Sequence, residues 1–303
     1  MRGYTTSTDL PRWTHGPPAG GVWKTTPEDF LVEELPEVAP DGVGEHLWLR
    51  IEKVGVGTLE VVEALAKATG RPANEIGYAG MKDRDARTVQ DFTIQLAKGV
   101  PTLPAGMRVV ASDQTRKRLR IGQLLGNRFT VRVRGGDVAR ARARLAELTP
   151  LGMPNYYGVQ RVGGRAAVDG SAILRGAGPR LPFSQLKFAL SAYQSVLFNR
   201  VLAYRGPGPR RGDLLVDDVP TGPMYGPTMA WPTGEALEIE RGVLAEEHLP
   251  DGAWERFGKL TQGTRRKLWV PVAAQLTPET DGFTLRFDLP SGSYATVLLE
   301  QIL

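Results

Sequence analysis

Runs of alternating apolar and polar residues dominate the first half of the chain and predict β-strands. In residues 46–53, leucine or isoleucine occupies three alternate positions, which is the period of a half-buried strand. Residues 283–289 alternate in the same way, and residues 24–34 mix apolar and acidic side chains, as a strand packed on one face does. Shorter strands are predicted over residues 76–78, 92–94, 118–121 and 129–134.

Apolar residues spaced three and four apart predict helices between these strands. We expect Thr58 to cap the first helix and Gly70 to end it, because both residue types are favoured at those positions. A second helix is predicted over residues 138–148, with Asp137 as its cap. Two further helices are predicted over residues 184–206 and 293–302. The mixture predicts an α+β fold for the region up to residue 153.

The composition is that of an ordinary globular protein, with 41% hydrophobic and 23% charged residues in a chain of 303. No apolar run approaches the ~18 residues that a membrane span requires. Residues 1–20 lack the pattern of a signal peptide. We therefore expect a cytoplasmic protein with one large domain or two.

Cysteine is absent, which excludes disulfides, thiol catalysis, iron–sulfur clusters and the cysteine-ligated zinc sites of nucleobase deaminases. The three histidines, His15, His46 and His248, lie far apart and lack the spacing of metal ligands. We therefore expect no metal ion, and acid–base chemistry falls mainly to carboxylates.

The net charge is +5, and the arginines are clustered. Three basic clusters lie within residues 116–120, 128–134 and 265–267. Clustered cations are typical of proteins that bind a polyanion, and we expect nucleic acid rather than a membrane. A composition rich in arginine throughout is the alternative explanation.

A glycine-rich turn carries the strongest candidate for catalysis. Asp83 lies between Lys82 and Arg84, two cations that would keep its carboxylate ionised, and Gly80 permits a close approach of the backbone. An ionised Asp on a turn can act as a nucleophile. A solvated turn with exposed charge pairs is the alternative for an isolated run of this kind.

The same segment resembles the signature of the TruD family of tRNA pseudouridine synthases, in which the Asp of a G-x-K-D turn, followed by A-x-T-x-Q, is catalytic. The matching positions are Gly80, Lys82, Asp83, Ala86, Thr88 and Gln90. Other segments resemble motifs of this family in the same order, at residues 24–30, 41–46, 126–129, 154–161, 191–205 and 292–296. Because they span most of the chain, chance agreement is remote.

The resemblance implies an α+β pseudouridine synthase catalytic domain, with a mixed or antiparallel sheet and flanking helices, over residues 1–153 and 264–303. A smaller inserted α/β domain would occupy residues 154–263. The implied activity is the isomerisation of uridine to pseudouridine in tRNA, at nucleotide thirteen, without a metal or cofactor. tRNA is then the expected partner, and no obligate protein partner or membrane is expected.

For the site, the resemblance implies that Asp83 is the catalytic carboxylate close to C1′ of the target nucleotide. Asp83 could attack C1′ or remove a proton from C2′, and the sequence does not distinguish these two roles. Lys24 matches the basic residue that orients this carboxylate in the family. Lys82 is the weaker candidate, because neighbouring side chains in a strand-like segment point to opposite faces.

Phe129 and Asn127 are the expected base-binding residues. Flipping a uridine out of folded RNA costs a few kcal/mol, and stacking on an aromatic ring contributes about 1–3 kcal/mol in return. Alternation along residues 129–134 also places Phe129 on the face of Val131 and Val133, so a core position is the alternative. Asn127 would supply a polar contact to the base.

Five arginines are candidates for contacts to RNA phosphates, with a solvated surface as the alternative. They are Arg118, Arg120, Arg132, Arg134 and Arg161. The carboxylates of residues 28–34 are interpreted as an acidic surface strand without a chemical role.

Two other functions stay open. An RNA-binding module or RNA chaperone would use the same scaffold and basic surface without catalysis. A pure binder does not need an ionised Asp83 beside its bound polyanion, because that charge repels phosphate. A synthase acting on an RNA other than tRNA is the third interpretation.

Overall fold

The computed structural model describes residues 10–95 and 99–303. Within these residues the chain forms fourteen strands and seven α-helices. The strands are β1 (Val22–Trp23), β2 (Phe30–Pro36), β3 (His46–Val54), β4 (Ile76–Tyr78), β5 (Arg87–Gln95), β6 (Met107–Thr115), β7 (Leu124–Arg134), β8 (Met153–Pro154), β9 (Leu215–Val216), β10 (Val219–Met224), β11 (Thr264–Lys267), β12 (Trp269–Val270), β13 (Gln275–Glu279) and β14 (Gly282–Pro290). The helices are α1 (Thr58–Thr69), α2 (Val138–Leu148), α3 (Val159–Val162), α4 (Arg165–Leu174), α5 (Phe183–Arg205), α6 (Gly234–Ala245) and α7 (Ala295–Ile302).

The chain divides into two compact units. The sheet unit contains Pro18–Arg142 and Val272–Gly292, together with the last residue. The helical unit contains the described residues up to Pro17, with Ala143–Pro271 and Ser293–Ile302. A catalytic domain of residues 1–153 and 264–303, with residues 154–263 inserted into it, stays a prediction.

The sheet unit is built on one mixed sheet in the order β13-β14-β7-β2-β5-β3-β6, with β1 beside β7 and β4 beside β5. Strands β2 and β5 are parallel, and the other pairs are antiparallel. Apolar residues of β3, β4 and β5 pack against Val61, Val62 and Leu65 of α1. One face of the sheet is therefore covered, and polar side chains on that face need partners inside the protein.

Strand register places a row of side chains across this covered face. Phe287 on β14 lies opposite Phe129 on β7, and Phe129 lies opposite Val32 on β2. Val32 is opposite Thr88 on β5, which is opposite Lys53 on β3. Facing residues of paired strands project to the same side, so an aromatic end and a lysine end share one row.

The core of the helical unit is built around the 23-residue helix α5. Apolar residues of α4, α5 and α6 pack together with Tyr225 and Trp254. Two ion pairs lie inside this unit, Arg205 with Asp213 and Arg265 with Glu240, each with a closest N–O distance of 2.7 Å. Their side chains are almost fully buried, so each charge depends on its partner.

The structure confirms the α+β class and most of the predicted elements. The strands over residues 46–53 and 283–289 and the helix over 138–148 are present, and Arg140 N donates to Asp137 Oδ1 (3.0 Å), as a capping residue allows. Gly70 ends α1 in the left-handed conformation, with φ of 67°. No helix in the described part of the chain is long and apolar enough to cross a membrane.

Three local predictions are wrong. The strand predicted over residues 24–34 begins only at Phe30, because Pro27–Asp29 form a 3-10 helix. Residues 118–121 are irregular rather than a strand, although Leu119 is buried between exposed Arg118 and Arg120. Leu119 N donates to Thr93 Oγ1 (2.9 Å), a side-chain acceptor, so the segment makes no strand ladder at this residue. Thr58 is the first helical residue of α1 rather than its cap, which is Gly57.

Candidate active site

Asp83 lies on the turn between β4 and β5. Asp83, Arg84 and Asp85 are exposed, whereas Lys82 before them and Ala86 after them are buried. Within the turn, Ala86 N donates to the Arg84 carbonyl oxygen (2.9 Å). The turn is therefore anchored at both ends and presents the Asp83 carboxylate to solvent.

Two residues outside the turn hold its first part. Gln90 of β5 donates from Nε2 to the carbonyl oxygen of Gly80. Thr58 of α1 accepts a hydrogen bond from Lys82 N (2.9 Å) and donates from Oγ1 to Gln90 Oε1 (3.0 Å). The signature residues Gly80, Lys82 and Gln90 therefore form one hydrogen-bonded unit with Thr58, which fixes the backbone before Asp83.

The side chain of Lys82 points away from solvent. Its Nζ is 2.6 Å from Glu34 Oε2, and the two side chains are 5% and 1% exposed. The prediction that Lys82 and Asp83 point in opposite directions agrees with this burial. The interpretation of Glu34 as part of an acidic surface strand is wrong, because Glu34 is the buried counter-ion of Lys82. A buried pair of this kind is costly to break from one side.

Lys53 of β3 is hydrogen-bonded to the turn, and the sequence analysis did not identify Lys53 as a site residue. It is 0% exposed, and its Nζ donates to the carbonyl oxygens of Val56 (2.6 Å) and Asp83 (3.2 Å). Burial lowers the pKa of Lys53 to about 8, while the negative charge of Asp83 acts in the opposite direction. The sequence does contain a sign of this role: Lys53 occupies the next inward-facing position of β3 after Leu49 and Ile51, where an apolar residue is expected.

Lys24 lies directly after β1, in an unusual backbone conformation. Its φ of 60° is in the left-handed region, which costs a non-glycine residue about 1–3 kcal/mol and is concentrated at functional sites. Its Nζ is 5.4 Å from the centre of the Phe30 ring, a cation–π contact. This conformation directs the ammonium group of Lys24 over the first residue of β2.

Phe129 is 7% exposed and belongs to a layer of aromatic rings. Its ring is stacked on Phe287 with a centroid distance of 5.4 Å, and the Phe30 centroid is 6.0 Å away.

Asn127 lies on the same face of β7, two residues before Phe129 and opposite Glu34. Asn127 Oδ1 and Glu34 Oε1 are buried and have no hydrogen-bond partner among the described residues. Such acceptors are uncommon in a folded protein.

Strand β2 connects the predicted site residues. Its first residue, Phe30, contacts both Lys24 and Phe129, and its fifth, Glu34, faces Asn127 and binds Lys82 beside Asp83. Lys24, Asn127 and Phe129 come from separate parts of the sequence. In the folded chain, all three and Lys82 lie next to β2 or contact its side chains.

Two of the candidate RNA-binding arginines are paired with carboxylates. Arg134 Nη2 is 2.7 Å from Asp29 Oδ1, and this hydrogen-bonded pairing lowers the pKa of Asp29. Arg132 Nη2 is 2.8 Å from Asp281 Oδ1. Asp29 is buried, so its interpretation as a surface carboxylate is also wrong. Phosphate contacts by Arg132 and Arg134 stay a prediction.

Arg118 and Arg120 have different surroundings. Within residues 10–95 and 99–303, neither forms an ion pair with a carboxylate, and both line an open depression next to β4. Arg118 donates to the carbonyl oxygen of Asn74. Gly122 N donates to the Ala79 carbonyl oxygen (2.8 Å), which joins this segment to the residue before Gly80. The two arginines therefore line a depression beside β4, the strand that leads into the Asp83 turn.

Arg161 belongs to the helical unit, on the short helix α3. Its Nη2 donates to Ser191 Oγ (2.8 Å), and its guanidinium lies 4.9 Å from the centre of the Phe188 ring. In the same described residues, no group of three or more His, Asp or Glu could hold a metal ion. Contact of Arg161 with RNA stays a prediction. The expectation that the reaction needs no metal ion also stays a prediction.

The sequence matches the family model described as "tRNA pseudouridine synthase D (TruD)" over residues 11–178 and 215–302. The chain belongs to the TruD family. It is 37% identical over 335 residues to tRNA pseudouridine synthase D of Anaeromyxobacter dehalogenans strain 2CP-C, covering 97% of this chain and 96% of the relative. It is 38% identical to the protein of the same name from Thermus thermophilus, covering 95% of this chain and 90% of that relative.

A solved structure has the same fold. The crystal structure of the putative tRNA pseudouridine synthase D (TruD) from Methanosarcina mazei superposes with a TM-score of 0.78 at 20% identity, covering 96% of this chain and 95% of that one. The mixed sheet with its helices is therefore a TruD fold. The matched ranges of the family model include the whole Asp83 turn, β2 and β7.

Proposed function

We propose that this chain isomerises uridine to pseudouridine in tRNA, at nucleotide thirteen, with Asp83 as the catalytic residue. Membership of the TruD family supports the reaction and the class of substrate. The named relatives, which align with almost the full chain, are tRNA pseudouridine synthases D. The target nucleotide follows from the family resemblance of the motifs.

The observation that carries the proposal for Asp83 is the construction of its turn. The backbone on the N-terminal side is fixed by Gln90 and Thr58, and Asp83 itself is held by Lys53, yet its carboxylate is exposed. An ordinary solvated turn does not need three buried side chains to fix it. A carboxylate that must meet one sugar carbon does, because catalysis depends on position.

The chemistry accounts for a carboxylate at this place. The bond between N1 of uracil and C1′ breaks, the base turns, and C5 forms a new bond to C1′. C5 then loses its hydrogen as a proton, and N1 takes up a proton. Asp83 either attacks C1′ or removes a proton from C2′, which is returned later, and both routes need its carboxylate beside the sugar.

For the base, the proposal assigns Asn127 and Phe129. The unpartnered Oδ1 of Asn127 can accept a hydrogen bond from the flipped uracil, which has an N–H donor. Phe129 is mostly buried, so stacking of the uracil on its ring requires the covering side chains to move. Lys24, held over Phe30 by its strained backbone, would orient Asp83.

For the RNA backbone, we assign phosphate contacts to five arginines, two of them in the depression next to β4. Arg118 and Arg120 are the best supported, because neither is neutralised by a carboxylate within the part of the chain that the structure describes. The other three are Arg132, Arg134 and Arg161.

The experiment is to incubate the protein with an unmodified tRNA transcript and to map pseudouridine by carbodiimide labelling and primer extension. The proposal predicts one new stop, at nucleotide thirteen, which is lost when that uridine is replaced by cytidine. A stop at another nucleotide would reject the assigned position and keep the reaction. Tight binding without any stop in tRNA would favour the RNA-binding module over the enzyme.

A further inference from the structure

Lys53 is a fully buried lysine on an apolar face. It follows Leu47, Leu49 and Ile51 on the inward side of β3, and all four side chains are at most 4% exposed. Lysine is almost never fully buried unless it is paired, because removing an ammonium group from water is costly. A hydrophobic residue at this position would continue the alternation of the strand, so Lys53 requires a reason beyond packing.

The partners of Lys53 are unusual for a buried cation. Both hydrogen bonds from Nζ go to neutral carbonyl oxygens, those of Val56 and Asp83, and no carboxylate of the described residues forms an ion pair with it. The charges that act on it are Asp83 and Lys82 on the turn and Glu60 on α1. Among these, Asp83 provides the largest attraction. The buried cation is therefore directed at the turn.

The two other lysines near the site are engaged elsewhere. Lys82 Nζ is bound to Glu34, and Lys24 Nζ lies over the ring of Phe30. Of the three lysines, Lys53 is the one whose ammonium group donates a hydrogen bond to Asp83, at its carbonyl oxygen.

We propose that Lys53 is a positioning residue of the isomerase: its buried ammonium group fixes the backbone of Asp83 and acts through space on the Asp83 carboxylate. This inference rests on the proposed role of Asp83. It assigns two effects to one side chain. The hydrogen bond to the Asp83 carbonyl oxygen sets the distance of the carboxylate from C1′, and the charge of the ammonium group attracts the carboxylate.

The alternative is that Lys53 only closes the loop between β3 and α1 through its bond to Val56. A loop closure would affect the stability of the fold and would leave the chemical step and its pH dependence unchanged. The two interpretations therefore differ in what the reaction rate does when the fold and tRNA binding are intact.

The test compares wild type with Lys53→Met and Lys53→Arg in single-turnover release of tritium from tRNA labelled at C5 of uridine. Lys67→Met, an exposed lysine on α1, is the matched control. Thermal unfolding and tRNA binding are measured for each variant. We expect Lys53→Met to bind tRNA normally and to react about 100-fold more slowly, the size of loss that misplacement of a reacting group by about 1 Å produces.

The pH profile of the wild type tests the charge of Lys53 without any substitution, and the profile of Lys53→Arg is the comparison. Because burial lowers the pKa of Lys53 to about 8, the wild-type rate should fall as pH rises through that value and the ammonium group loses its proton. Lys53→Arg keeps its charge across this range, so its rate should lack the fall near pH 8. Lys67→Met should follow the wild-type profile.

Three results would overturn the inference. One is a folded Lys53→Met that reacts at the wild-type rate, and another is a wild-type rate that does not fall between pH 7 and 9. The third is a loss in Lys53→Met that matches its loss of tRNA binding. These differ from a failure of the proposed function, in which the wild type releases no tritium or Asp83→Ala still does.

Discussion

At the residue scale, the site depends on buried charges whose partners come from distant parts of the chain. Glu34 and Lys82 form a pair 2.6 Å apart, with both side chains nearly inaccessible to water. Removing one partner leaves an unpaired charge in the interior, whereas removing both leaves an apolar cavity or contact. The pair therefore supports the fold chiefly by preventing the cost of an isolated charge.

We expect Lys82→Met to reduce the free energy of unfolding by about 3–5 kcal/mol, because Glu34 is left buried and unpaired. The double variant Lys82→Met with Glu34→Leu should recover at least half of that loss. Urea unfolding of the wild type, both single variants and the double variant measures these values. A single-variant loss below about 1 kcal/mol, as for an exposed pair, would mean that water reaches the pair.

A second buried carboxylate gives a pH-dependent stability. Asp91 is fully buried, and burial raises its pKa to about 6 against the opposing effect of Arg50, which is 3.0 Å away. A carboxyl group with a raised pKa in the folded state holds its proton more tightly there than in the unfolded chain. Its contribution to stability is therefore complete below about pH 4 and is lost as pH rises through 6.

The stability of the wild type and of Asp91→Asn should therefore respond differently to pH. At about 1.4 kcal/mol for each pKa unit, the wild type should lose roughly 2–2.5 kcal/mol relative to Asp91→Asn between pH 4 and 7, because part of the shift from 3.8 to about 6 is already expressed at pH 4. Urea unfolding of both proteins at these two pH values provides the comparison. A difference that is constant with pH, or that grows in the opposite direction, would contradict the raised pKa.

At the element scale, the turn with Asp83 is fixed by β5 and α1 rather than by its own sequence. Thr58 accepts from Lys82 N and donates to Gln90, so α1 and β5 are linked through the turn. Another threonine on the same helix, Thr69, donates to the carbonyl oxygen of Leu65 in its own helix (2.7 Å). The two threonines therefore make a matched pair.

Thr58→Val should destabilise the protein by about 1–3 kcal/mol, since Lys82 N is left buried without an acceptor. It should also slow pseudouridine formation, because the backbone before Asp83 is no longer held. Thr69→Val should change neither quantity by a comparable amount. The check is urea unfolding with single-turnover kinetics, and equal rates for the two variants would show that α1 does not position the turn.

Sequence reasoning succeeded where the governing interactions are local. The alternation of residues 46–53, the left-handed Gly70 at the end of α1 and the cap at Asp137 all depend on neighbours within a few positions. Residues 118–121 show the limit of this approach. They alternate like a strand, but their neighbour Thr93 offers a side chain in place of a backbone acceptor at Leu119.

Long-range partners explain the rest of what the sequence did not predict. The sequence offers Arg134 as a candidate phosphate contact and does not predict its partner Asp29, which lies 105 positions away. Lys53 is a lysine at an inward position, and only its contact with Asp83, 30 positions later, gives it a place in the site. The family resemblance identified the turn, and the folded chain supplied the residues that support it.

At the scale of the whole molecule, binding of a polyanion depends on which of the clustered arginines are free. Arg132 is paired with Asp281, so a phosphate at that position must replace an existing partner. Arg118 and Arg120 have no carboxylate partner among the described residues and line one depression. The net charge of +5 therefore does not show that the arginines near β4 lack carboxylate partners while Arg132 has one.

We predict that tRNA binding weakens with salt and that Arg118→Ala with Arg120→Ala makes this dependence less steep. Each lost phosphate contact should reduce the slope of log affinity against log salt concentration by about 0.9, by analogy with duplex DNA. Arg132→Ala is the contrasting variant and should reduce the slope by less, because Arg132 must exchange its partner Asp281 for a phosphate. Filter binding over a series of salt concentrations measures the slopes, and a larger change for Arg132→Ala would reverse the assignment.

The proposed function depends on Asp83, and tritium release from tRNA labelled at C5 of uridine tests this dependence. The comparison is between wild type, Asp83→Asn and the matched control Asp85→Asn, an exposed Asp two residues along the same turn, with tRNA binding measured in parallel. We expect release by the wild type and Asp85→Asn, and none by Asp83→Asn at undiminished binding. Release by Asp83→Asn at the wild-type rate would show that Asp83 is not the catalytic residue.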